Sequence, residues 1–105
     1  MGFKTDKKID SFLSKVKKYF KPVKVILFGS RAGDDWLIES DYDFIVVSDK
    51  FRNIDIFERM KSVFVKCEVR LAADILCYTP EEFEKKSKEI GIVKEAVSRG
   101  VYLLG

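Results

Sequence analysis

The chain has 105 residues, 47% of them hydrophobic and 35% charged, with a formal net charge of +3. This length suits one domain spanning 1–105 that buries roughly 60 to 70% of the surface its unfolded chain would expose, and the composition excludes intrinsic disorder. Histidine is absent and the two cysteines, Cys67 and Cys77, lack ligand spacing, which excludes histidine general-base chemistry and most zinc sites.

Between Thr5 and Phe20 the residues Ile9, Phe12, Leu13, Val16, Tyr19 and Phe20 recur at intervals of three and four, with lysines on the other side. That spacing predicts an amphipathic helix, capped by Thr5 or Asp6 and stopped at Pro22. Val23 to Phe28 is a short β-branched run broken only by Lys24, and reads as a mostly buried strand. A Gly-Ser turn follows at Gly29. From Ser30 to Ser40 the chain is polar and irregular, with one helical turn expected near Ser30 to Gly33 and a lone Trp36. Tyr42 to Val47 predicts a second buried strand.

Asp49 to about Lys66 carries Ile54, Phe57, Met60 and Phe64 at helical spacing and predicts a helix packed on the sheet. Its end is ambiguous, because Val65, Cys67, Val69 and Leu71 alternate with Lys66, Glu68 and Arg70 in the two-residue period of a strand. Ala72 to Tyr78 reads as a third strand. Thr79-Pro80-Glu81-Glu82 then supplies an N-cap, a first-turn proline and a capping-box glutamate, predicting a helix to about Ile90. Ile92 to Arg99 reads as a last helix ended by Gly100, and the apolar tail Val101 to Leu104 either adds an edge strand or meets a partner. About a dozen residues without a full helix separate the first two strands, too few for an ordinary parallel crossover, so that pair is expected to be antiparallel. The whole predicts an α/β (α+β) domain: a mixed sheet of three or four strands with helices against it.

Within this frame Asp41 and Asp43 project to one face of the second strand, roughly 6.6 Å apart along it. Like charges so placed repel unless a cation or a donor cluster offsets them. Carboxylates of this kind hold Mg²⁺, and a glycine turn such as Gly29-Ser30 can seat phosphate on its backbone N–H groups. Phosphate chemistry is the first expectation. Asp74 is the acid inside the third apolar strand, where burial is costly unless the charge is paired or metal-bound, and it completes the site if that strand lies beside the second.

Other features carry more than one reading. Asp41 could cap a turn. Arg31 could neutralise a polyphosphate or pair with Asp34, and Trp36 could stack on a base or cover the sheet edge. Tyr42 and Phe44 read as core, and Cys67 and Cys77 as small buried hydrophobes. The lysines from Lys15 to Lys24 read as a solvated helix face or as a contact for nucleic acid or an acidic partner. Composition does not mark a nucleic-acid binder, and nucleic acid is not the expected partner. No secretory h-region and no bilayer-length apolar run occur, so a reduced, cytoplasmic setting without a membrane partner is expected, and homo-oligomers stay open.

GSRA, ten residues after its Gly-Ser the run SDYDF, then ADILCYTPEEF and the ending IVKEAVSRGVYLLG resemble the minimal nucleotidyltransferases of the superfamily that includes DNA polymerase beta. The resemblance implies the nucleotidyltransferase fold, ATP as nucleotide donor and two Mg²⁺ ions held by Asp41, Asp43 and Asp74. It implies that Gly29, Ser30 and Arg31 bind the nucleotide, and that Asp74 is the carboxylate placed to activate an acceptor hydroxyl. Such proteins are commonly encoded beside a helical HEPN partner, so the resemblance also implies transfer of AMP to a tyrosine of that partner, an antitoxin role. The alternative is a binding module that neutralises a helical partner by contact alone. Gly33 and Asp34 depart from the family pattern, standing where a further arginine and a glycine are usual.

Overall fold

The structure is a computed structural model that describes residues 7–28, 42–70 and 72–105. In chain order its elements are α1 (Lys7–Phe20), β1 (Val23–Phe28), β2 (Tyr42–Ser48), a 3-10 turn (Asp49–Phe51), α2 (Ile56–Lys66), β3 (Ala73–Tyr78), α3 (Pro80–Ser87), α4 (Ile92–Arg99) and β4 (Val101–Leu104). The strands form one four-stranded sheet in the order β3-β2-β1-β4. β1 runs antiparallel to both β2 and β4, while β2 and β3 are parallel. The antiparallel first pair and the edge strand at the tail are therefore as expected from the sequence.

Alternation along the strands divides the core in two. Val25, Leu27, Phe44, Val46, Ile75 and Cys77 face α1 and α2, meeting Phe12, Val16, Phe20 and Val63. The Phe12 ring meets Phe44 at a centroid distance of 4.8 Å with the planes tilted by 35°. Ile26, Ile45, Val47 and Tyr78 face the other way, against Phe83, Val93 and Ala96 of α3 and α4. β2 is thus covered on both sides, which is why its sequence reads as a continuous apolar run rather than an alternating one. Gly100 lets β4 reach β1: a Cβ there would lie 2.7 Å from Ile26 Cγ2 and 2.9 Å from the Leu27 carbonyl.

Three boundaries differ from the sequence reading. The helix expected from Asp49 opens as a 3-10 turn, and α2 begins only at Ile56, capped by Asp55, whose carboxylate accepts from Phe57 N. Its buried stripe is displaced too: Arg59 and Val63 face inward, whereas Phe57 is 71% exposed. The alternating stretch after Lys66 is no strand among its described residues. Val69 N donates to Phe64 O and Glu68 N to Val65 O, with Glu68 at φ 48°, the paired bonds of a Schellman helix ending. Val69 and Phe64 both pack on the core, so the alternation reflects the hydrophobic contact that accompanies such an ending. The usual sequence signal, a glycine in the left-handed position, is absent because Glu68 occupies it. α3, lastly, ends at Ser87, three residues short of the expected limit.

One polar cluster ties these layers together. The Arg59 guanidinium, 8% exposed, donates from Nε to the Ile54 carbonyl, from Nη1 to the Cys77 carbonyl at 3.2 Å and to Glu82 Oε1 at 2.6 Å. Glu82 also accepts from Thr79 N, closing the capping box of α3. The side-chain hydrogen bonds of Arg59 hold the Glu82 carboxyl down at a pKa of about 2. A carboxyl depressed in the folded state stabilises the protein above its unfolded pKa, near 4.3, and that stabilisation disappears as pH falls through about 2. Because the Glu82 side chain is 43% exposed, solvent screening reduces the effect to about 1–2 kcal/mol. Glu82→Gln should lose that amount in urea unfolding at pH 7, and the gap between the two proteins should close on titration from pH 4.5 to pH 2; a pH-independent gap would refute the assignment.

Candidate active site

β1 and β2 carry the site by their register. Phe28, which immediately precedes Gly29 in the chain, pairs with Asp43, and Asp43 in turn pairs with Asp74 across the parallel β2–β3 ladder. A row of side chains thus crosses three strands at one end of the sheet, on the face that bears α3 and α4. The next row inward, Ile26, Ile45 and Leu76, is apolar. Asp43 is half-buried and Asp74 exposed, so the two acids stand at the rim of an apolar surface. The Tyr42 N–H donates to the Ala72 carbonyl at 2.9 Å, extending the ladder one step beyond the acids.

Asp74 was expected as a charge buried in an apolar strand. It is exposed instead, because it is the second residue of an edge strand, and desolvation does not require a partner for it. Its link to the site rests on the register with Asp43. Gly29, Ser30, Arg31 and Asp41, like Gly33, Asp34 and Trp36, lie outside the described residues. Two of the three predicted carboxylates are therefore brought together, and among the described residues no group of three or more potential ligands converges.

The donor set fits a hard divalent cation. Carboxylates opposite one another on strands about 4.8 Å apart can both approach an ion that takes oxygen ligands at about 2.0–2.1 Å. A thiolate site is not on offer. Cys67 and Cys77 are each 1% exposed, and burial raises their thiols to about 11 and about 12. Two further features went unread in the sequence: the Arg59 clamp, since a lone arginine on an amphipathic helix gives no sign of burial, and the meeting of the α1 lysines with Lys66 and Arg70 across the helix pair.

A small mixed sheet with opposed carboxylates at its rim, in a chain that carries a Gly-Ser pair just after its first strand, defines a domain suited to metal-assisted chemistry on phosphate groups. The family is known: the chain belongs to the nucleotidyltransferase domain family, whose model matches residues 9–102. Membership makes it a transferase of nucleotidyl groups, and such domains generally work with a divalent metal and a nucleoside triphosphate. In fold it is similar to a candidate nucleotidyltransferase from Sulfolobus solfataricus, with a TM-score of 0.55 and 24% identity over 94% of this chain and 87% of that one. It is also similar to BolA1 from Arabidopsis thaliana, with a TM-score of 0.54 and 19% identity over 74% of this chain and 98% of that one. No curated protein is significantly similar in sequence. The layout of strands and helices thus occurs under other names, and the chemistry has to be argued from the acids.

Two outcomes test this site. Like charges opposed across strands cost roughly 0.2–1 kcal/mol, so Asp74→Asn should leave the metal-free protein as stable as the parent or slightly more so in thermal melts. With Mg²⁺ and nucleotide added, the parent should gain stability and the variant should gain clearly less. Separately, both cysteines should resist alkylation at pH 7 in the native protein and react only after unfolding, since neither is accessible nor ionised there; rapid labelling of either would contradict the burial.

Proposed function

We propose that the domain transfers AMP from ATP, with Mg²⁺, to an acceptor hydroxyl, and that the acceptor is a tyrosine of a helical HEPN-type partner, which the transfer silences. The observation that carries the reading is the pairing of Asp43 with Asp74 in a chain of the nucleotidyltransferase family. The resemblance of GSRA and SDYDF to the minimal nucleotidyltransferases supports the finer assignment of ATP, two ions and partner. Asp41, Asp43 and Asp74 would hold the metal, which when bound neutralises charge on the attacking and leaving oxygens of an in-line displacement.

The chain's own residues divide the remaining work. Gly29 and Ser30 offer backbone N–H groups to the triphosphate, and Arg31 adds paired donors to its oxygens. Asp74, more exposed than Asp43, is open to an incoming hydroxyl and accepts its proton, the role that histidine takes elsewhere and that this chain has no histidine to fill. Phe28 and Leu76, half-buried beside the acids, limit water on one side of the pair. A domain whose described part is four strands and four short helices offers little surface to enclose a second substrate, which favours an acceptor that brings its own shape.

A second reading is a binding module that neutralises a helical partner by contact. Exposed apolar side chains favour it, above all Ile90 at 96%, Phe57 at 71% and Val65 at 67%. Incubation with ATP labelled at the α-phosphate, Mg²⁺ and a co-purified partner separates the two. Label should move to the partner and be lost at least 100-fold with Asp43→Asn, in keeping with removal of a metal ligand. If the Asp43→Asn protein transfers as well as the parent, the enzymatic reading falls. If no label moves while the Asp43→Asn, Asp74→Asn double variant still neutralises the partner, the contact reading stands in its place.

A further inference from the structure

Apart from the lysines between Lys15 and Lys24 the cations of this chain are spread through the sequence, yet the fold collects six of them along one seam. α1 and α2 lie side by side on the face of the sheet opposite Asp43 and Asp74, and two adjoining hollows of about 160 and 550 Å³ run along their junction. Lys7, Lys8 and Arg70 line the first, and Lys15, Lys18 and Lys66 the second. Glu68 is common to both and is the one carboxylate among their described lining residues. The trough therefore holds a local charge of +5 in a chain whose total is +3, so that the remaining side chains are together net acidic.

Geometry makes this more than a solvated helix face. Glu68 pairs with Lys15 at 2.7 Å and its charge also attracts Arg70, which leaves Lys7, Lys8, Lys18 and Lys66 with no acid of their own among the described lining residues. Tyr19, 42% exposed, stands in the larger hollow beside Lys18, whose ammonium lies 5.3 Å from the ring centroid. A basic groove that follows a chain of phosphates and offers an aromatic face between its cations is the chemistry of single-stranded nucleic acid binding, where unpaired bases stack. The trough also has a direction. Its Tyr19 end is anchored where Ser48 Oγ donates to the Phe20 carbonyl at 2.6 Å, and its Arg70 end adjoins the β3 entrance, four residues before Asp74. It therefore opens at the end of the sheet that bears the acids, though on the other face.

We infer that the α1–α2 seam is a binding surface for single-stranded nucleic acid, held through its phosphates by Lys7, Lys8, Lys18, Lys66 and Arg70 with a base against Tyr19. The surface does not depend on AMP transfer and would persist in a catalytically dead protein. Electrostatic, sequence-tolerant binding of this sort has a dissociation constant on the order of 1–100 μM at physiological salt and weakens linearly on a logarithmic salt scale.

The test is fluorescence anisotropy with a labelled single-stranded RNA of about 20 nucleotides, at about 50 and 200 mM salt. The parent should bind, with affinity falling as salt rises. The triple variant Lys8→Glu, Lys18→Glu, Lys66→Glu alters exposed positions, so circular dichroism should show it folded, and its binding should be at least tenfold weaker with a shallower salt slope. Reversing Lys85, Lys88 and Lys94 on the opposite face should change affinity less than twofold, whereas Glu68→Gln should tighten it two- to threefold. Asp43→Asn should bind as the parent does. The inference is overturned if the parent does not bind at the lower salt, or if the opposite-face reversal weakens binding as much as the trough reversal. It is equally overturned, in favour of an acidic protein partner, if polyglutamate of matched charge displaces the RNA as effectively as unlabelled RNA does.

Discussion

The parallel pairing of β2 with β3 is the constraint on which the rest of the structure depends. It sets Asp43 against Asp74, Phe44 against Ile75 and Val46 against Cys77, so a single ladder fixes both the acid pair and the core beneath it. A slip of one residue would turn Ile75 and Cys77 out of the α1–α2 core and carry Asp74 into it, which burial forbids. The register is thus enforced by hydrophobic packing, and the alignment of the carboxylates is a consequence. Arg59 holds the same ladder from outside, joining the Cys77 carbonyl at the end of β3 to Glu82 at the start of α3.

Two faces of one sheet then take different duties. The α3–α4 face ends in a row of acids at the strand ends, where metal and phosphate chemistry can be open to solvent on one side and bounded by Phe28 and Leu76 on the other. The α1–α2 face holds the larger part of the core and turns its outer seam into a basic trough. The acid pair and the basic trough thus lie on opposite faces of the sheet in a chain whose total charge is only +3. Fold resemblance to a BolA protein shows that the scaffold alone does not prescribe the reaction, and the nucleotidyltransferase assignment draws its force from the match over residues 9–102 and from the acids.

Much of this was legible in the chain before folding. α4 ends where Gly100 says it should, and Thr79-Pro80-Glu81-Glu82 announces α3 through a capping box that the structure forms. Local signals of this kind act within three or four residues, so sequence reads them well. The errors fell where a tertiary contact reassigned a residue. Phe57, read as core, is exposed because α2 begins at Ile56 and presents Arg59 and Val63 inward. Val65 to Arg70, which alternates like a strand, closes a helix through a left-handed Glu68 that only its backbone bonds reveal. Asp74, read as a buried charge, is exposed because its strand lies at the sheet edge.

What the sequence determined by itself was the succession of elements, the apolar character of β1, β2 and β3, and the identity of the acids, all set by residue type and short-range spacing. It also implied the family, through the spacing between Gly29-Ser30 and the aspartates. Only the tertiary structure decided that β3 lies parallel beside β2 with Asp43 opposite Asp74, since strand order depends on contacts between residues thirty positions apart. In the same way it placed Lys8, Lys18, Lys66 and Arg70 along one seam, because a cation's neighbours in space are chosen by how the helices pack and not by its neighbours in the chain.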